Sequence, residues 1–137
     1  MTLHIALTSV LVDDQAKALA FYTDALGFRL KHDFPIGGAR WLTVVSSAKP
    51  EGTELLLEPM GFEPARVYQK ALFTMGIPAA AFAVDDINAE HARLTANGVR
   101  FRSEPFRPAS GPAIALFEDG CGNLIQIFEA PQAEQAA

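Results

Sequence analysis

The residues of this chain best placed to do chemistry are two carboxylates and an amide: Glu54 and Glu58 in the apolar run 53–58, and Gln126 in the run 124–129. Strand alternation puts Glu54, Leu56 and Glu58 on one face, and Leu124, Gln126 and Phe128 on one face of the later run. A carboxylate held against apolar walls is favoured in its protonated form, which makes Glu58 a candidate general base. Glu54 ranks behind it because it lies nearer a loop. The plain alternative is that both acids sit at strand ends in water. Gln126 is in mid-strand, and a buried amide needs a partner there, whether ligand, backbone or water. Trp41, Phe117 and Phe128 either line a pocket for a flat or apolar ligand or simply fill the core.

The other reactive side chains have weaker contexts. His32 lies in strand-like alternation, where a core or edge histidine is the expectation, and His91 lies on a helix; neither is expected near the cavity. His4 is an odd number of residues from Leu7 and should point to the opposite face. Cys121 is the chain's single cysteine, so it forms no internal disulfide, and it reads as a small turn residue without an activating neighbour. Arg66, Tyr68 and Lys70 on a connecting helix, and Arg107 in a Pro-rich loop, either recognise a ligand or form an exposed surface.

Length and composition bound the partners. The chain has 137 residues, half of them apolar, which suits one domain with a substantial core. Its formal charge is −5, with no run of like charges, so neither nucleic acid nor a membrane surface is an expected partner. No apolar run approaches the roughly 18 residues of a membrane span, and no cleavable leader is evident, so a cytoplasmic location is expected.

The elements that must position these residues occur twice. Strand-like 3–12 ends at Asp13-Asp14, and helical spacing of Ala18, Leu19, Tyr22 and Leu26 then runs to Gly27. Strands follow at 28–34, 39–46 and 53–58, with a reversal at 35–38 and a stop at Pro59. A helix over 65–73 forms a connector. The second pass repeats the first: a strand over 77–84, Asp85-Asp86, a helix ending at Asn97-Gly98, a strand over 99–102, and a hairpin through Asp119-Gly120-Cys121-Gly122-Asn123. Val12-Asp13-Asp14 and Val84-Asp85-Asp86 are 72 apart, and Gly27 and Gly98 are 71 apart. A duplicated βαβββ unit accounts for these spacings. The modules are 1–60 and 77–131, with a connector 61–76 and a tail 132–137. An α+β fold follows: a curved eight-stranded mixed sheet around a cavity, with helices outside.

These residues resemble the vicinal oxygen chelate superfamily, which contains glyoxalase I, extradiol dioxygenases and the bleomycin- and fosfomycin-resistance proteins. The resemblance is carried by Val12-Asp13-Asp14 with Phe21-Tyr22-Thr23-Asp24-Ala25-Leu26-Gly27-Phe28, by Ala81-Phe82-Ala83-Val84-Asp85-Asp86, and by Phe117-Glu118-Asp119-Gly120-Cys121-Gly122-Asn123. It implies a homodimer with cavities near the subunit contact. It also implies that metal-using members place four inward ligands at positions corresponding here to Leu7, Glu58, Ala79 and Gln126. Alkyl groups offer no lone pair, and a catalytic divalent site normally takes about three protein donors. Only Glu58 and Gln126 remain, so no cofactor is expected and the family's full metal site is not. The expected function is binding of a small organic molecule in the sheet cavity by Trp41, Glu58, Gln126 and Phe128. The alternative is a metal-dependent lyase, isomerase or dioxygenase of the glyoxalase type using Glu58 and Gln126.

Overall fold

Alternating runs and helical spacing resolve, over residues 2–130 described by this computed structural model, into eight strands and three helices. In chain order these are β1 (Leu7–Val12), α1 (Gln15–Ala20) continued by a π-helical turn (Phe21–Ala25), β2 (Arg29–Ile36), β3 (Ala39–Val45), β4 (Glu54–Pro59), α2 (Glu63–Met75), β5 (Ala80–Ala83), α3 (Ile87–Ala96), β6 (Arg100–Phe101), β7 (Ala113–Glu118) and β8 (Leu124–Glu129). The fold is α+β, and the eight strands form two sheets of four, ordered β1-β4-β3-β2 and β5-β8-β7-β6. In each sheet the first strand runs parallel to the last, and the other pairs are antiparallel. The expected single sheet is thus divided in two. Pro131 and the tail 132–137 lie outside the described residues.

Partner availability moves several boundaries. β1 begins at Leu7 rather than Leu3, because its parallel ladder starts where Leu7 meets Glu54, the first residue of β4. The connector helix is longer than expected. It admits Pro64 in its first turn, where the missing amide costs nothing, and stops at Gly76 in the left-handed conformation.

The two modules start their helices alike. Asp14 accepts from the Lys17 amide at 2.9 Å and Asp86 from the Ala89 amide at 3.1 Å, each satisfying a donor the first turn leaves free. From capping aspartate to terminating glycine the first module spans 27 − 14 = 13 positions and the second 98 − 86 = 12. The π turn absorbs the extra residue. Gly27 and Gly98 still end their helices with nearly equal φ, 91° and 90°.

One core joins both modules. Val10, Val12, Leu42, Val44, Leu55 and Leu57 of the first sheet share it with Ala115, Phe117, Ile125 and Ile127 of the second and with Tyr22, Ile87 and Leu94 of the helices. Each fully buried leucine or phenylalanine contributes about 1.5–3 kcal/mol, so a charge at Leu57 or Ile125 would break the fold. Core residues occupy alternate positions, which leaves the intervening side chains on an open face of each sheet.

A polar knot fixes the 119–123 turn into this core. Buried Asp119 accepts from the Tyr22 hydroxyl at 2.6 Å, the Cys121 amide at 2.8 Å, the Asn123 amide at 3.0 Å and Asn123 Nδ2 at 2.8 Å. Burial, and then the Asp119 charge, raise the Tyr22 phenol well above its ordinary pKa. Gln69 of α2 donates to the Leu11 and Cys121 carbonyls at 2.8 and 3.0 Å, and Asn123 Nδ2 reaches the same Leu11 carbonyl at 2.7 Å. Gly122 lies so close that a Cβ there would overlap the Gln69 amide.

Candidate functional site

The open face of the first sheet gathers Ser9 and Leu11 of β1, Glu54, Leu56 and Glu58 of β4, Trp41 and Thr43 of β3, and His32 and Phe34 of β2. Register aligns Leu7 with Glu54, Leu11 with Glu58, Leu56 with Thr43, Thr43 with His32, and Trp41 with Phe34. The β3–β4 ladder pairs Val44 with Leu55 and Thr43 with Leu56 and goes no further. Beyond it Gln15 of α1 spans the strands: its Nε2 donates to the Arg40 and Leu57 carbonyls at 2.7 and 2.9 Å, and its Oε1 accepts from the Arg40 amide at 3.1 Å. Trp41 lies two residues beyond the end of this ladder, on the same face of β3 as Thr43.

The two carboxylates of this face live in different surroundings. Glu54 Oε1 accepts from the fully buried Thr43 hydroxyl at 2.8 Å and lies 3.7 Å from His32 Nε2. His32 lines none of the cavities, but its bulged pairing with β3 puts its ring beside Glu54 on the open face, a neighbour the sequence reading did not foresee. Glu54 borders a cavity of about 390 Å³ with Ser9, Phe28, Val45, Ala79 and Ala81. Glu58 lines another, of about 300 Å³, between β1, β4 and α2, together with Ser9, Leu11, Tyr68, Gln69, Leu72 and Ala79. Glu58 is partly exposed, and its carboxylate makes no hydrogen bond or ion pair among the described residues. A wider groove of about 680 Å³, bordered by Lys49, Asp85, Asp86 and Glu90, contains none of the four family positions.

Gln126 belongs to the other sheet. It is half-buried on the open face of β8, aligned with Ala81 and Leu116, and lines none of these cavities. Phe128, two residues on, aligns with Ala83 and Ile114. Phe117 is fully buried core. Charges here are matched: Arg102 meets Glu118 at 2.8 Å while its guanidinium lies 5.2 Å from the Phe73 ring centre, and Arg107 meets Glu129 at 3.1 Å. The Ile87 amide, donating at 2.8 Å, and then Arg107 hold the Glu129 carboxyl below its usual range. His91 stacks on Phe101 at 4.2 Å, away from both open faces.

These residues do not fit a family-type metal within one chain. Leu7 and Ala79 have no donor atoms, Glu58 and Gln126 sit in separate sheets, and no three His, Cys, Asp or Glu side chains converge among the described residues. Cys121 is buried, and loss of solvation, with Asp119 nearby, pushes its thiol up to about 12. It is inert at neutral pH. Sequence reasoning missed Gln15, Gln69 and the His32–Glu54 pair. For His32 the signal was its shared parity with Phe34; the two glutamines gave none, because polar residues on helices ordinarily face water.

Comparison with known proteins follows this geometry. Residues 3–127 match the model of the Glyoxalase/Bleomycin resistance protein/Dioxygenase superfamily. YurT of Bacillus subtilis (strain 168), an uncharacterised protein, is 49% identical over 127 residues, covering 93% of this chain and 99% of that protein. The crystal structure of UcmS2 is 34% identical, with TM-score 0.78 over 93% of this chain and 98% of that one. The structure of TnmS3, an antibiotic binding protein from Streptomyces sp. CB03234, is 32% identical, with TM-score 0.73 over 96% and 99%.

Proposed function

The chain belongs to the glyoxalase/bleomycin resistance protein/dioxygenase superfamily, and from that premise we propose that it is a cytoplasmic small-molecule-binding protein, working without the family's metal. The observation that carries this reading is the cavity beneath α2, where Glu58 stands without a protein partner at one of the family's ligand positions while Ala79, in the same wall, occupies another. A cavity of about 300 Å³ that combines Leu11, Leu72 and Ala79 with Ser9, Glu58 and Tyr68 suits a modest organic ligand carrying polar groups. The likeness to TnmS3 supports binding over chemistry.

The same reading includes a homodimer. Phe34 and Ile36 on the open face of β2, and Val67, Tyr68 and Met75 on α2, are large apolar side chains left exposed in one chain. A second copy covering them would also close the cavities from above. Phe34→Glu should then convert a dimer into a monomer by light scattering; a wild-type monomer at micromolar concentration refutes the dimer.

Two measurements test the rest. Screening a metabolite and antibiotic library by thermal shift should yield ligands whose stabilisation is weakened by Glu58→Gln; indifference of every hit to that change removes the cavity assignment. Protein incubated with nickel, zinc or manganese and then desalted should retain far less than one equivalent. Stoichiometric retention returns metal-dependent chemistry to first place.

A further inference from the structure

We propose that the cavity beside Glu58 recognises a cationic nitrogen, an alkyl- or arylammonium group, with Glu58 and Tyr68 as its receptor. The inference rests on the ligand-binding reading above and narrows the ligand to a chemical class. It starts from the contrast between the two carboxylates of the open face. Glu54 accepts from the Thr43 hydroxyl and lies 3.7 Å from His32 Nε2, whereas Glu58 has no protein partner among the described residues. A partly buried carboxylate without a protein partner is met by water or by an opposite charge, and a ligand entering the cavity can supply that charge.

The lining supports a cation and opposes an anion. Among the described residues, Glu58 is the one charged residue bordering this cavity. Lys17 pairs with Asp13 at 3.0 Å, Arg40 with Asp33 at 2.7 Å and Arg102 with Glu118 at 2.8 Å, and Arg66 donates to the Met60 carbonyl at 2.9 Å, while Lys70 of α2 is exposed and does not border this cavity. An entering ammonium meets one attraction and no repulsion. Aromatic faces add to it, because a ring quadrupole is negative over its face. Tyr68 borders the cavity and offers such a face. Leu11, Leu72 and Ala79 offer apolar contact for the remainder of the ligand.

The chain has a single tryptophan, Trp41, on the strand next to β4, and its emission serves as an intrinsic probe. Phenylbutylamine, phenylbutanol and phenylbutyrate, nearly equal in shape, should be titrated into the full chain at neutral pH, with melting temperature as a second readout. The amine should bind about tenfold more tightly than the alcohol, and the carboxylate most weakly. Added salt should erode the amine's advantage. The near-isosteric Glu58→Gln should bring the amine to the alcohol's affinity, and Tyr68→Leu should weaken the amine more than the alcohol. The inference is overturned if amine and alcohol bind equally, if the amine's preference survives Glu58→Gln, or if Glu54→Gln removes it instead. Equal binding of amine and alcohol leaves the cavity reading standing and ends only the ammonium assignment. Silence of all three compounds in both readouts ends both.

Discussion

The two sheets share a strand order but differ on opposite sides for different reasons. Toward the core, both present alternating aliphatic and aromatic residues, Val10, Leu55 and Leu57 in one and Phe117, Ile125 and Ile127 in the other, because close packing admits little else. Toward the open side they diverge. The first sheet carries Trp41, His32, Thr43, Glu54 and an unmatched Glu58; the second carries small alkyl groups at Ala79, Ala81 and Ala83, a lone amide at Gln126, and Glu118, already matched to Arg102. Packing held the core faces alike, while the open faces were free to specialise. Ionisable and aromatic side chains are concentrated on the first module's open face, and the second presents a smoother wall. Their last connections also differ: residues 46–53 form a largely exposed loop, whereas 119–123 is buried in the polar knot.

The sharpest break in that comparison is at Asp119. Removing it by Asp119→Ala strands four donors in the interior and should cost roughly 3 kcal/mol in chemical denaturation. Ser47→Ala in the first module's exposed loop should stay within about 0.5 kcal/mol; comparable losses at the two sites would mean that the connections are not different in kind. Gly122→Ala forces a Cβ into the Gln69 amide at a positive-φ position and should cost about 2 kcal/mol. Next is Gln15→Leu, which removes the bridge across the open end of β3 and β4; a loss of about 1 kcal/mol with altered Trp41 emission is expected, and unchanged emission would separate Gln15 from the site.

The smallest effect at neutral pH belongs to Glu129. Its folded carboxyl titrates below its usual range, so its stabilisation is present above that range and is lost as pH falls through the lowered folded value. Glu129→Gln should accordingly flatten the acid side of the stability curve while leaving the alkaline side in place. An unaltered acid limb would show that the Ile87 and Arg107 contacts contribute nothing.

Local signals made much of this legible. Asp14, Asp86, Gly27 and Gly98 announce helix ends because caps and left-handed turns restrict residue type, and the alternation of β4 correctly placed Glu54, Leu56 and Glu58 on one face. The drop from 72 to 71 between repeat landmarks carried the π turn without revealing its form. What escaped depends on contacts far apart in sequence. His32 joins Glu54 through a bulged strand pairing, Gln69 is buried only because the Leu11 and Cys121 carbonyls meet it, and the division into two sheets is set by how the modules pack. Gln126 and Glu58, matched by the repeat, stand in different sheets, so equivalence along the chain did not make them neighbours in one molecule.

The buried thiol in the second module's turn has a use unrelated to any ligand. Cys121 is fully enclosed and unreactive at neutral pH, yet it lies inside the knot that joins both modules to α2. A thiol reagent can reach it only when that knot comes apart. The rate at which the native protein consumes reagent therefore times the opening of the module junction, a built-in clock for a motion that equilibrium stability alone does not reveal.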